Sequence, residues 1–235
     1  MAPALILFDV DGTLVDTAGA GRRAMERACA RVFGLDGVEL GSAGVPFAGR
    51  TDPVILEEVT RALGIEPERY RTSRADLERR FLEELRSELA RPEPQRRVLP
   101  GVLPLLDDLA TRDELWLGLL TGNIEAGARL KLEVFDLNRF FPSGGFSSDD
   151  PDRRRIARIA RAKLEAHSGK RFPPDRVTVV GDTHHDVDCA RANGFRSVAV
   201  NSGWVERRSL EQARPDHLLE DLSDLERTLA ALSLA

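Results

Sequence analysis

Three apolar runs in this 235-residue chain end in side chains that can do chemistry. Asp9 and Asp11 follow "ALILF", Thr121 and Asn123 follow "WLGLL", and Asp182 and Asp186 follow "VTVVG". Two carboxylates one residue apart repel each other, and burial beside a strand sharpens that repulsion. If the three runs are neighbouring strands, four carboxylates and a hydroxyl converge on one crevice, and a cation is required to hold them. Mg²⁺ suits an all-oxygen ligand set and keeps waters that a phosphate can replace. The pattern therefore points to a metal that holds the carboxylates together and is able to share a substrate phosphate.

The elements that must position these residues alternate along the chain. "ALILFD" (4–9), "WLGLLTG" (116–122), "VTVVGD" (177–182) and "SVAV" (197–200) read as buried strands, with "GGFSS" (144–148) a weaker candidate. Helical patterns lie between them, as in "RRIARIARAKL" and in the segment from Asp182 to Gly194. Such alternation predicts an α/β fold with a parallel sheet covered on both faces. Ligands of open α/β sheets bind beyond the carboxyl ends of the strands. The strand at 4–9 should lie between 116–121 and 177–181, since only neighbours bring Asp9, Thr121 and Asp182 together.

Residues 15–98 break this rhythm. Apolar residues recur there at helical spacing, as in Met25, Ala28, Cys29, Val32 and Phe33; Ile55, Val59, Ala62 and Leu63; and Leu77, Phe81, Leu85 and Leu89. No convincing strand is visible. So long a connection cannot be a structureless loop, so a helical insertion with its own small core is expected at 15–98, joined to a core domain at 1–14 and 99–235. "RPEPQRRVLPG" (91–101) reads as the return linker.

Bulk properties narrow the partners. The net charge is −5, with 42% hydrophobic and 31% charged residues, so neither nucleic acid nor an anionic membrane is an expected partner. The start carries no basic segment ahead of its apolar run, so no signal peptide is expected, and no run approaches the ~20 apolar residues of a membrane span. Cys29 and Cys189 match no disulfide or zinc pattern. A cytoplasmic location is the expectation.

"DVDGT" (9–13), "LLTGN" (119–123) and "GDTHHD" (181–186) occur in order, each after an apolar run. With them the chain resembles the haloacid dehalogenase superfamily hydrolases that carry a helical C1-type cap, the phosphoglycolate phosphatase-like enzymes in particular. The resemblance covers nearly the whole chain and implies a three-layer Rossmann-like core with an inserted cap. It implies that Asp9 is a nucleophile forming an aspartyl phosphate and that Asp11 is the general acid and base. Gly12 would keep the backbone close to the phosphoryl group, with Thr13 a supporting hydroxyl. Thr121, the Gly122 amide and Asn123 would hold phosphoryl oxygens. Mg²⁺ would be bound by the Asp9 carboxylate, the Asp11 carbonyl and Asp182, with Asp186 acting directly or through a water.

One motif departs from the family pattern. The lysine expected near the start of the helix after the third strand is absent from "SSDDPDRRRIARIA". Arg153 falls nearest that place and is favoured, with Lys131 the other candidate. Arginine supplies the charge with a larger, planar head.

Other residues invite weaker readings. A calcium loop beginning at "DVDG" would need further ligands where Thr13 and Ala20 stand. Asp182 could cap the helix that follows it. His184 and His185, adjacent on a helix, point about 100° apart and are poorly placed to share a metal; one of them is expected to face the crevice. Among the cap arginines 22, 23 and 50, Arg50 lies in the glycine-containing turn "FAGRTDP" (47–53) and is a candidate substrate contact.

The leading expectation is a Mg²⁺-dependent phosphatase acting on a small phosphorylated metabolite. A phosphomutase of the β-phosphoglucomutase type keeps both aspartates and is the alternative. A haloacid dehalogenase would lack Asp11, and a phosphonate hydrolase would need a cap lysine where residues 15–98 contain none. A non-enzymatic binding module has no use for intact Asp9, Asp11 and Asp182.

Overall fold

A computed structural model describes residues 3–35 and 44–233. The part of the expected cap at 36–43 lies outside them. The core is a six-stranded parallel sheet with the order β5-β4-β1-β6-β7-β8. Its strands are β1 (Ala4–Phe8), β4 (Leu115–Leu120), β5 (Gly144–Gly145), β6 (Val177–Gly181), β7 (Arg196–Val200) and β8 (His217–Leu219). As expected, β1 lies between β4 and β6, with Ile6 opposite both Leu117 and Thr178. The strand at 144–148 shortens to two residues, and β8 is an edge strand with no clear signal in "HLL".

Strand alternation assigns the two faces. Ile6 and Phe8 point into one cluster with α4 (Val102–Ala110), α5 (Glu125–Glu133) and α9 (Leu225–Ala231). Leu5 and Leu7 point into the other, with α6 (Arg153–Ser168) and α7 (His184–Ala192). A short helix, α8 (Arg207–Ala213), packs Leu210 against Val187 and Ala199. Burying one such aliphatic side chain contributes about 1.5–3 kcal/mol, so a strand apolar on both faces anchors the sheet centre.

The insertion is built from α1 (Ala20–Phe33), α2 (Asp52–Ala62) and α3 (Pro67–Ala90). Its core joins Met25, Cys29 and Phe33 to Ile55 and Val59 and to Leu77, Phe81 and Leu85, the stripes read from the sequence. Glu88, buried on α3, receives Arg23, Arg27 and Arg91 and ties α1 to α3. The expectation of no strand within 15–98 is corrected at its two ends. Val15–Asp16 (β2) and Arg97–Val98 (β3) pair as an antiparallel ribbon, Val15 opposite Val98. Two residues carry no periodicity, so this pairing was invisible in the pattern. No helix among the described residues is long and apolar enough to cross a membrane, and both cysteines are buried and free.

Candidate active site

The carboxyl ends of β1, β4 and β6 meet in a cavity of about 630 Å³ whose lining includes Asp9, Asp11, Thr121, Gly122, Asn123, Lys131, Arg153 and Asp182. The cap closes it from above with Arg22, Met25, Phe47, Arg50, Ile55 and Phe81.

Asp9 leaves β1 with its amide bonded to the Val180 carbonyl, 2.9 Å away. The chain then turns sharply, with the Leu14 and Val15 amides returning to the Val10 carbonyl. Gly12 sits at φ +81°, and a Cβ there would lie 2.4 Å from Asp182 Oδ2. Only glycine therefore permits the loop to approach the acid at the end of β6.

Asp9, Asp182 and Asp186 offer carboxylate oxygens that all lie within 4.8 Å of one another, and all three are buried. Arg153 is the cation among them, 3.1 Å from Asp9 and 2.5 Å from Asp186. Burial pushes Asp9 up to about 6, although Arg153 pulls against it. Asp182 is raised well above the usual range by burial and by the charges of Asp9 and Asp186. Burial works against the charge of Arg153, but Asp186 and Asp9 hold it above the usual arginine value. One oxygen of Asp182 accepts weakly from Thr13 Oγ1 at 3.5 Å, and the other, Oδ2, is buried with no hydrogen-bond partner. Three acids against one guanidinium, with an orphaned carboxylate oxygen, form a donor set that fits a hard divalent cation.

Asp186 is more constrained than the others. Its Oδ2 accepts from the Thr183 amide and hydroxyl at 3.1 and 2.7 Å, a capping box at the start of α7. Thr183 rather than Asp182 is thus the helix cap, which corrects the alternative reading of Asp182 and leaves its carboxylate for the cavity. The histidines differ from expectation too. Neither lines the crevice; they stack on each other with centroids 4.0 Å apart, and His185 faces a smaller pocket beside Gly49 and Arg50. The capping box holds Asp186 against Thr183, and His184 and His185 on the same first turn stay outside the cavity lining. Burial and His184 hold His185 below its usual proton affinity.

A second charged group surrounds Asp11. Lys131, buried on α5, donates to Asp11 Oδ2 at 2.6 Å and to Asn123 Oδ1 at 2.7 Å. Asn123 Nδ2 donates to the same Asp11 oxygen and to Thr121 Oγ1, each at 2.8 Å. Both candidates for the missing positive charge therefore reach the site, at different carboxylates. Arg50 borders the cavity but pairs with Glu58 through both terminal nitrogens. Arg23 is bound to Glu88, whereas Arg22 lies over the Phe47 ring, 4.3 Å from its centroid.

Sequence reasoning missed Asp52 and Thr183. The capping box offered a signal, Thr and Asp three residues apart before a helix. Asp52 had none, because its partners lie far away in the chain.

The model for the family "Haloacid dehalogenase-like hydrolase" matches residues 6–200. A phosphoglycolate phosphatase of Synechococcus elongatus is 32% identical over 222 residues, covering 94% of each chain. A phosphoglycolate phosphatase of Cereibacter sphaeroides is 30% identical over 233 residues, covering 96% of this chain and 99% of its own. Among solved structures, CbbY from Rhodobacter sphaeroides in complex with phosphate superposes with a TM-score of 0.74 at 24% identity, covering 99% of this chain and 100% of that one. With the parallel sheet and its cap, these matches establish that the chain belongs to the haloacid dehalogenase-like hydrolases and is a phosphatase of the phosphoglycolate phosphatase-like kind.

Proposed function

We propose that the crevice hydrolyses a small phosphorylated metabolite in a Mg²⁺-dependent reaction, with Asp9 as nucleophile and Asp11 as general acid and base. The observation that carries this reading is the separate partnering of the two acids. Asp9 is buried against the Arg153 guanidinium, and Asp11 is held by Lys131 and Asn123 at the cavity wall.

Asp9 attacks phosphorus while the bond to the leaving alcohol breaks, and Asp11 gives that alcohol a proton. Asp11 then takes a proton from water, which opens the acyl phosphate, releases inorganic phosphate and restores Asp9. An Asp9 pushed up to about 6 is still mostly ionised at neutral pH. Thr121 and the Gly122 amide hold phosphoryl oxygens, and Arg153 and Lys131 oppose their charge. The Asp9 carboxylate, the Asp11 carbonyl, Asp182 and Asp186 would hold Mg²⁺, which when bound supplies positive charge toward those oxygens.

Core and cap divide the work in this reading. Residues 1–14 and 99–235 carry the chemistry, and the cap at 15–98 shapes the room for the leaving group. Met25, Phe47, Ile55 and Phe81 on the cavity wall favour a small organic body. The names of the two curated relatives make phosphoglycolate the first substrate to test.

The test is inorganic phosphate release from a generic aryl phosphate with Mg²⁺, then from a panel of phosphorylated metabolites, followed by an assay for phosphoryl transfer between hexose positions. Turnover that requires Mg²⁺ is expected. Full activity in excess chelator, or no release from any ester, overturns the reading.

A further inference from the structure

The cap contributes a carboxylate that the mechanism does not use. Asp52 opens α2 and is only 7% exposed, without an arginine or lysine within ion-pair distance among the described residues. Its backbone amide donates to the Gly122 carbonyl at 2.8 Å, and its Oδ2 accepts from the Ile124 amide at 2.9 Å. These two bonds straddle Asn123, the residue that binds Asp11, Thr121 and Lys131. The fit is close: a Cβ on Gly122 would lie 2.1 Å from the Arg50 carbonyl, so the cap backbone rests directly on the loop after β4.

Charge adds to this clamp. The opposing charge that acts on Asp52 is Lys131, and Asp11 is felt there as well. Lys131 is thus ion-paired with Asp11 of the core at 2.6 Å and feels the charge of Asp52 of the cap from beyond ion-pair distance. Burial pushes Asp52 up to about 6, with Lys131 and the Ile124 amide pulling against it. A buried acid that is ionised at neutral pH with no ion-pair partner is an unfavourable placement for stability alone.

We propose that Asp52 is a positioning residue of the reaction: from the cap, it fixes the 121–124 loop that carries Asn123, and its charge acts on Lys131, which with Asn123 orients the Asp11 carboxylate. The inference rests on the phosphatase reading above. The Asp11 proton shuttle then has its working geometry only with α2 seated on the loop, so the cap takes part in the chemistry as well as in substrate choice. Misplacing a catalytic group by an ångström costs up to about 10²-fold in rate.

The experiment is a double-mutant cycle on kcat with the aryl phosphate and Mg²⁺, using Asp52→Asn, Lys131→Met and both together. Asp52→Asn keeps an oxygen for the Ile124 amide and removes the charge. It should lower kcat by about 10-fold or more with a smaller change in KM. On Lys131→Met it should have little further effect, because residues that act through one another are not additive. Thermal unfolding separates the alternatives, since a purely structural Asp52 would lose stability along with rate, whereas this variant should be at least as stable as the natural chain at neutral pH. Full kcat in Asp52→Asn, or additive losses in the double variant, overturns the proposal. No turnover by the unaltered enzyme overturns the phosphatase reading instead.

Discussion

One terminal nitrogen of Arg153 lies 3.1 Å from Asp9 and 2.5 Å from Asp186, and its neighbour on the same guanidinium lies 3.3 Å from the Gly49 carbonyl of the cap. A planar fork reaches all three partners at once, and an ammonium offers a single centre. Arg153→Lys is therefore expected to keep the fold and lose about 10- to 100-fold in kcat. Arg153→Met leaves buried acids without their cation, which destabilises by about 3–5 kcal/mol. Urea denaturation and steady-state kinetics on the pair check both outcomes, and a fully active Arg153→Lys would remove the argument for the fork.

The two aspartates of "DVDGT" separate by substitution. An amide cannot attack phosphorus, so Asp9→Asn should show no turnover and no phosphoenzyme. Asp11→Asn keeps the nucleophile and loses the proton shuttle, a loss on the order of 10²–10⁴ in kcat. Acid quenching with radiolabelled substrate should trap an aspartyl phosphate in the second variant only. Label on an Asp9→Asn enzyme would refute the assignment.

Metal binding has a readout apart from turnover. A cation that binds only the folded chain raises its stability by about 2.7 kcal/mol at a hundred times its dissociation constant. Mg²⁺ should raise the unfolding temperature of the natural chain. Asp182→Ala removes the carboxylate whose Oδ2 has no partner, and that rise should shrink or vanish. An equal shift in both proteins would place the ion elsewhere.

Asp52 gives a pH dependence with a definite sign. Its carboxyl is raised from 3.8 to about 6 in the folded chain, first by burial. The folded protein thus holds this proton more tightly than the unfolded one. The resulting stability is complete below the unfolded pKa of about 3.9 and is lost as pH rises through about 6, a difference of about 3 kcal/mol. Urea unfolding of the natural chain and Asp52→Asn should show the variant gaining on its parent as pH rises from 4 to 7. A constant difference across that range would contradict the shift.

The sheet and the acids at its edge were legible because both rest on local pattern. β1 and β6 are short apolar runs, and Asp9, Asp11 and Asp182 stand where those runs stop. The cap helices were legible through their stripes, Met25 to Phe33 and Leu77 to Leu89. What escaped depends on contacts between distant segments. Asp52 is bonded to Ile124 across 72 positions, and Lys131, a candidate in the sequence for the charge beside Asp9, pairs instead with Asp11 across 120. The two-residue strands at Val15 and Arg97 carry no periodicity. The histidines were misplaced because the rotation of α7 is set by its Thr183 cap, and one residue of shift turns a side chain by about 100°.

The pairing of Val15 with Val98 also bears on how such a chain can change its length. The excursion that forms the cap departs and returns at adjacent positions, so the sheet sees the same two endpoints whatever lies between them. Loop-closure entropy rises only by about 0.6 kcal/mol for each doubling of a flexible loop. Helices can be added, lost or exchanged beyond that junction without altering the register of β1 against β4 and β6. The chemistry at the strand tips and the shape of the room above them are thereby free to diverge at different rates, with Asp52 among the few points where a new cap must still meet the old loop.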